Sequence, residues 1–447
     1  MVLRSDADVN KIEMKNRLDM RDKIASDMPK DTFFILDPKK GIDSNVFYLT
    51  GARFPGVALA FFKGKTGGDY YLFVPQTTAE EEVWQLPLPR REAVIRNMAG
   101  HVGSLKVMDK KMMEGIVARQ KKGLKEGDND VLENRIAQFR MVKTDMEINR
   151  MLAAANATEY AFRSLMMGGG LEGRREKSVR YLIDSFLVDG ALEDEEAGPA
   201  FPTIVATPEH ALCLHYDFSS EGSSMGDRVV TKRDYIVVDA GARVSGYCCD
   251  VTRTIPISKR SFRGYRRGLY EALLLAQKRL VSGIKPRMTF GELNMLMAEE
   301  IFDALKSEGA LTRSARSDPV GAHTEAMWRL MQHGIGHPVG VDFHDAVYYD
   351  DLKDRKDGKA KEKSGALLYD PFRYVSGKVA VPNGAVITVE PGIYVTKDSK
   401  ILRQEYGGHG LGMRIEDTIL VTDSLGTCNV NLTKGIPKEI SKLEKMC

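Results

Sequence analysis

Cysteine is scarce. Five occur in 447 residues, Cys213, Cys248, Cys249, Cys428 and Cys447, and an odd number that includes an adjacent pair is no disulfide framework. No C-x-x-C pair occurs, which argues against a thiolate zinc site. Long apolar runs are missing too. The longest, such as Val57 to Phe62, fall far short of the ~20 residues that span a bilayer. The first residues lack the apolar core of a signal peptide. Nor does one sign of charge prevail: 65 Lys+Arg against 62 Asp+Glu leave +3, with no global pull toward nucleic acid or an anionic membrane. These absences lead to the expectation of a soluble cytoplasmic chain without nucleic-acid or membrane partners. At 43% hydrophobic and 28% charged residues it is composed like an ordinary folded protein.

Composition divides the chain in two. The N-terminal part carries strand-like runs, Thr32–Leu36, Val57–Lys63 and Tyr70–Val74, set off by Gly and Pro. The polar stretch Lys121–Asp130, with Gly123 and Gly127, ends it. The expected organisation is a smaller α/β domain over 1–128 and a larger domain over 129–447. In the larger part the apolar period becomes helical. Thr144 with Glu147 and Thr289 with Glu292 form capping boxes ahead of apolar stripes. Two more helices run along Val179–Leu187 and Tyr270–Leu280. Strand-like runs at Tyr235–Ala240, Tyr247–Ile257, Ala385–Glu390 and Met413–Val421 do not alternate strictly with these helices. The expected fold class is therefore α+β rather than a doubly wound parallel sheet.

Four carboxylates sit where surface charges do not. Asp239 follows the apolar run Tyr-Ile-Val-Val, Asp250 follows Gly-Tyr-Cys-Cys, Glu390 ends Val-Ile-Thr-Val, and Glu416 lies within Met-Arg-Ile-Glu-Asp-Thr-Ile-Leu-Val. A buried carboxylate needs a partner. A symmetric hairpin centred between Val244 and Ser245 sets Asp239 directly across from Asp250, with Cβ atoms ~4.5–5.5 Å apart on one face. Like charges so close repel unless a cation lies between them, so this hairpin predicts a metal site; the alternative is that one Asp simply lies in the turn. His333, His337 and His344 fall in one Gly-rich stretch. The i,i+4 spacing of the first two suggests a zincin-like pair, but Gly334, Gly336, Pro338 and Gly340 make a helix implausible. The stretch reads as a loop entering a strand, with His337 and His344 facing a cleft. His215, in Cys-Leu-His-Tyr, is ambiguous by itself. Four carboxylates balance two divalent cations, and oxygen-rich coordination with one imidazole suits Mn²⁺ better than a structural zinc site. Paired metals of this kind activate water and polarise a carbonyl or phosphoryl group.

The order Asp239, Asp250, His337, Glu390, Glu416 resembles the pita-bread metallopeptidases, and within them the aminopeptidase P and prolidase branch. The motifs that carry the resemblance are Asp-Ala-Gly-x4-Gly-Tyr-x2-Asp-Val-Thr-Arg-Thr, His-Gly-Ile-Gly-His-Pro-Val-Gly-Val-Asp-Phe-His-Asp, Thr-Val-Glu-Pro-Gly-Ile-Tyr and Arg-Ile-Glu-Asp-Thr. Phe47-Tyr48-Leu49-Thr50-Gly51 matches the family's N-terminal domain weakly. The resemblance implies a C-terminal pita-bread catalytic domain and an N-terminal α/β domain that serves oligomerisation and walls the cleft. It implies that Asp239 binds one metal ion, that His337 and Glu390 bind the other, and that Asp250 and Glu416 bridge. Glu390 would also be the general base. His344 would hold the substrate and the tetrahedral intermediate, His215 would contact the substrate, and Arg414 would stand behind the ligands or touch the substrate.

The activity so implied is that of an exopeptidase with two divalent ions, Mn²⁺ foremost, with Co²⁺, Fe²⁺ or Zn²⁺ as alternatives. It would hydrolyse Xaa-Pro bonds at the N-terminus of small peptides with proline second, as a homodimer. An Xaa-Pro dipeptidase (prolidase) is the alternative. Behind it stand a non-peptidase hydrolase or lyase and a non-catalytic peptide-binding module on the same fold. Two features depart from the pattern: the long, charged stretch Ala346–Val381, and His409, which has no assigned role.

Overall fold

The computed structural model of the chain describes residues 17–446, apart from 18, 39–40, 54, 66–67, 79–104, 169, 192–196, 218–226, 319, 322–323, 355–374, 408–409 and 424–428. His409 and the centre of the charged stretch 346–381 therefore lie outside the described residues. Contacts divide the chain into two units, Met1–Arg140 and Met141–Cys447. The helix Asn129–Met141 fills the stretch between the polar boundary of the sequence and this division.

In the first unit, alternating aromatic and small residues build a five-stranded sheet of order β4-β3-β2-β1-β5. Its strands are β1 (Thr32–Leu36), β2 (Ala58–Lys63), β3 (Gly68–Val74), β4 (Leu105–Asp109) and β5 (Lys125–Glu126). The three central strands pair antiparallel and the two edges parallel. Period two sends Phe33, Ala58, Ala60, Phe62, Tyr71 and Phe73 to one face, where Ile116 packs on them. On the other face Phe61 stacks on Tyr70 with ring centroids 4.4 Å apart. The Phe47–Gly51 motif is the end of a helix, Ser44–Thr50, stopped by Gly51 at φ 78°, a left-handed position that glycine occupies without strain.

The second unit joins long helices to short antiparallel strand pairs. Both capping boxes form: Thr144 and Glu147 open the helix Asp145–Met167, and Thr289 and Glu292 open Phe290–Glu308. The helices Glu176–Asp189 and Tyr265–Gly283 complete the set read from apolar periodicity. The strands are β6 (Gly198–Pro199), β7 (Ile204–Ala206), β8 (Tyr235–Ala240), β9 (Ala242–Val244), β10 (Tyr247–Cys248), β11 (Val251–Pro256), β12 (Val386–Val389), β13 (Gly392–Val395), β14 (Leu411–Arg414), β15 (Asp417–Leu420) and β16 (Val430–Asn431). Every strand pairing among the described residues of this unit is antiparallel, as an α+β fold requires and a doubly wound sheet forbids.

Two sequence expectations need correction. The hairpin that carries Asp239 and Asp250 exists, but its turn lies one residue later. Val244 pairs with Tyr247 and Asp239 with Thr252, not with Asp250. The turn residues Ser245 and Gly246 both have positive φ, 49° and 82°, the two-residue geometry whose twist matches that of antiparallel strands. Asp250 then falls across from Gly241, where a Cβ would lie 1.7 Å from the Cys249 carbonyl oxygen. Only glycine permits that approach. The pairing has moved by two positions, an even number, so both aspartates keep the same face as diagonal neighbours.

The second correction concerns continuity. The runs Tyr247–Ile257 and Met413–Val421 each break into two strands, and the breaks hold Asp250 and Glu416. Glu390 lies in a third break, between β12 and β13. The cause is that each of these residues gives its backbone N–H to another segment. Asp250 donates to Thr418 Oγ1 at 3.2 Å, Glu416 to the Thr252 carbonyl at 3.0 Å, and Glu390 to the Ile335 carbonyl at 2.8 Å.

Candidate metal centre

The breaks turn three carboxylates toward one histidine. His337 lies in a loop that docks on β12 rather than forming a strand. Its N–H donates to Thr388 Oγ1 at 2.9 Å, Thr388 N–H returns to its carbonyl at 2.9 Å, and Val339 N–H donates to Val386 O at 3.0 Å. The His337 Nδ1 lies 3.1 Å from the Pro338 carbonyl, which leaves Nε2 to face the acids. From Nε2, Asp250 Oδ2 is 3.6 Å away and Glu390 Oε1 3.7 Å. Ligand atoms of Asp250, His337 and Glu416 all lie within 4.8 Å of one another, and all three residues are buried. Pairings on either side, Val389 with Asp417 and Gly392 with Arg414, share one register, so Glu390 falls directly across from Glu416.

This crowding is electrostatically unfavourable for the protein alone. Burial, then the neighbouring charges of Glu416, Asp239 and Glu390, hold the Asp250 carboxyl well above the usual carboxylate range. Burial, then Glu390 and Asp239, do the same to Glu416. Burial pushes Glu390 up to about 8, with Arg414 opposing the rise and Asp239 adding to it. Burial also holds His337 well below the usual imidazole range, so its ring is neutral and able to ligate. Asp239 lines the same cavity; its Oδ2 accepts from Arg414 Nη2 at 2.5 Å, while its buried Oδ1 has no hydrogen-bond partner. Clustered anionic oxygens, a neutral imidazole and an orphaned carboxylate oxygen fit a hard or borderline divalent cation.

All the remaining candidates line this cavity of about 580 Å³: His215, His344 and Arg414, together with His333. The rings of His344 and His337 pack with centroids 4.0 Å apart, tilted by 53° to each other. Desolvation, followed by neighbouring His215, lowers His344 to about 4, so it too is neutral near pH 7. The loop that carries both histidines is pinned from below. Asp345 N–H donates to the Pro338 carbonyl at 2.9 Å, and the Asp345 carboxylate accepts from Lys143 Nζ at 2.9 Å, both side chains being 1% exposed. A Cβ on Gly340 would lie 2.1 Å from that carboxylate. Apolar side chains, among them Phe201, Pro202, Ile204, Leu214 and Phe343, also line the cavity.

Several residues that serve the site escaped the sequence reading. Thr252 Oγ1 donates to Glu416 Oε2 at 2.6 Å and Thr388 Oγ1 to Glu390 Oε1 at 3.3 Å. Arg414 reaches Thr252 Oγ1 through Nε at 3.0 Å and the Tyr394 hydroxyl through Nη1 at 3.1 Å, and His333 Nε2 lies 2.8 Å from the same hydroxyl. A strand-period argument finds two of them: Thr252 and Thr388 lie two residues from Asp250 and Glu390, on the face those acids use. Behind Glu416 is a charged cluster with a buried centre. Arg253 Nη2 donates to Asp417 Oδ1 at 2.6 Å and Arg253 also bonds the Glu416 carbonyl, while Gln277, Asn431 and Lys438 reach Asp417 Oδ2. Arg253 and Asp417 are 0% exposed.

The profile of metallopeptidase family M24 matches residues 149–423, and that of the aminopeptidase P N-terminal domain matches residues 42–122. A Haemophilus influenzae protein named Xaa-Pro aminopeptidase is 26% identical over 426 residues, spanning 90% of this chain and 87% of its own length. An Idiomarina loihiensis protein named Xaa-Pro dipeptidase 2 is 32% identical over 323 residues, spanning 67% of this chain and 64% of its own. The solved structure of proline aminopeptidase P II from Yersinia pestis superposes with a TM-score of 0.74 at 21% identity, covering 98% of this chain and 99% of that one. The chain belongs to metallopeptidase family M24. It has the two-domain aminopeptidase P fold, with the pita-bread arrangement in its C-terminal unit.

Proposed function

We propose that this protein is an exopeptidase with two divalent metal ions that hydrolyses the Xaa-Pro bond at the N-terminus of small peptides. The observation that carries the reading is the convergence of Asp250, His337 and Glu416 within 4.8 Å, in a cavity that also holds Asp239, Glu390 and three further histidines. Asp239 would complete one ion's set and Glu390 the other's, with Asp250 and Glu416 shared. Oxygen-rich donors favour Mn²⁺, with Co²⁺, Fe²⁺ or Zn²⁺ as alternatives. Bound divalent ions supply a water nucleophile at neutral pH and polarise the scissile carbonyl.

The chain's own residues account for the rest. Glu390, whose affinity for a proton is raised by burial, takes a proton on its carboxylate oxygen as the general base. Neutral His344 donates an N–H group to the carbonyl oxygen as charge develops there, and His215 a second. Arg414 holds Asp239 in place. The Xaa-Pro bond lacks an N–H and proline fixes φ, so recognition must come from the ring and the free amine rather than from a backbone ladder. The apolar wall of Phe201, Pro202, Ile204 and Phe343 suits the pyrrolidine ring.

The 32% identity to a protein named Xaa-Pro dipeptidase supports a second reading, cleavage of dipeptides. Free proline released from Gly-Pro, compared with arginine released from Arg-Pro-Pro under added Mn²⁺, separates the two; release from neither overturns the proposal. We further propose a cytoplasmic homodimer in which the N-terminal domain, taken as 1–128, takes part. The described cysteines are free thiols, as a reducing compartment would keep them. No helix among the described residues is long and apolar enough to cross a membrane. Sedimentation showing only monomer at micromolar concentration would overturn the dimer.

A further inference from the structure

One buried carboxylate holds the segment that carries His215. Glu176 lies in the first turn of the helix Glu176–Asp189 and is 0% exposed. Its Oε1 accepts from Thr207 N–H at 2.7 Å; its Oε2 accepts from Tyr216 O–H at 2.8 Å and from Arg228 N–H at 3.0 Å. His210 Nδ1 lies 3.0 and 2.9 Å from the two oxygens, and its ring packs on Tyr216 with centroids 4.8 Å apart. The Glu176 N–H in turn donates to the Arg228 carbonyl at 3.0 Å. Leu214 and His215, which face the cavity, lie between two of these anchors, His210 and Tyr216. The segment follows the end of β7 at Ala206 and contains one turn of 3₁₀ helix, His210–Leu212. Apart from the bond from Gly412 N–H to the Pro208 carbonyl at 2.9 Å, the side chain of Glu176 is the main described tie for this segment. An ionised carboxylate is acceptor-only and offers about four lone-pair sites, which the four donors fill.

We propose that Glu176 is a positioning residue for the peptidase reaction: it fixes the segment 207–216 so that His215 reaches the substrate, and it touches no substrate itself. The inference rests on the reading of His215 as a substrate contact. Glu176→Gln keeps the shape of the side chain but aims an N–H₂ group at donors. Tyr216→Phe removes one anchor and keeps the ring that packs on His210 and borders the cavity.

The test is a double-mutant cycle on the full-length, metal-loaded protein with an Xaa-Pro tripeptide. His215→Ala, Glu176→Gln and Tyr216→Phe are made singly, and each of the last two is combined with His215→Ala. Metal content and thermal unfolding are measured in parallel. Glu176→Gln is expected to lower kcat/KM by about 10–100-fold. Combined with His215→Ala, it should fall within about twofold of His215→Ala alone, because both changes remove the same contact. Tyr216→Phe should repeat this pattern at smaller size, with metal content unchanged. A general structural loss would instead multiply the effect of His215→Ala, and that result overturns the inference. Wild-type turnover in Glu176→Gln overturns it as well. If His215→Ala alone leaves turnover intact, the substrate role of His215 falls and the inference with it. If Glu176→Gln does not fold, the Tyr216→Phe cycle decides by the same criterion.

Discussion

The four carboxylates of the candidate centre form two pairs, and the fold brings the acids of each pair together in opposite ways. In the β8–β11 hairpin the two aspartates are near in sequence, and a tight Ser245-Gly246 turn staggers them. Thr252, not a second acid, faces Asp239, and Arg414 reaches in to Asp239 Oδ2. Across β12–β15 and β13–β14 the partners are distant in sequence, yet Glu390 and Glu416 are directly opposed. Opposition is tolerated there because the ladder is open at both residues. Each gives its N–H to a third segment and receives a threonine hydroxyl on its carboxylate. Repulsion can thus be managed by offset along a hairpin or by direct opposition where the pairing opens. In both cases the backbone of an acid bonds a segment distant in the chain, Asp250 to Thr418 and Glu390 to Ile335.

If both pairs serve one centre, losing a donor from either should be equally severe. Asp250→Ala and Glu416→Ala are each expected to lower turnover by on the order of 10³-fold or more and to abolish bound metal, read by proline release and elemental analysis. Full turnover in either variant breaks the comparison at its root. Glu390→Gln should separate chemistry from holding: kcat should fall by about 10²–10⁴-fold with KM for a tripeptide little changed, and an unchanged kcat removes Glu390 as the base.

The supporting groups sharpen the contrast. Arg253→Met leaves Asp417 buried without its main partner and should cost about 3–5 kcal/mol of stability in urea unfolding. Arg414→Met should cost less, because Asp239 borders the cavity. The smallest expected effect is that of the hydroxyls. Thr252→Val and Thr388→Val should weaken metal affinity by about 10–100-fold in chelator competition. The first should lie at the upper end, since its bond to the carboxylate is 2.6 Å against 3.3 Å. The reverse order would show that opposition, not hydroxyl support, sets affinity.

The helices were legible because their signals are local: a threonine three residues before a glutamate, and an apolar stripe behind it. The acids were legible as apolar runs ending in a charge. The register of the first hairpin was missed although Ser-Gly, a turn dipeptide, was in plain view; a symmetry argument about charges outweighed the chemistry of the turn. The strand breaks were not legible at all, since they depend on Ile335, Thr252 and Thr418 arriving from elsewhere in the chain. Glu176 was hidden for the same reason: its donors are scattered from Thr207 to Arg228, and no spacing rule connects them.

The cluster beneath Glu416 bears on biosynthesis. Arg253 also donates to the carbonyls of Pro437 and Ile436, and Lys438 closes on Asp417. A growing polypeptide on the ribosome that has emitted Asp239 through Glu416, but not yet Ile436–Lys438, lacks the groups that close on Arg253 and Asp417. Catalytic competence would then arrive after the ligands themselves have been made, and peptide cutting would be withheld from the unfinished chain.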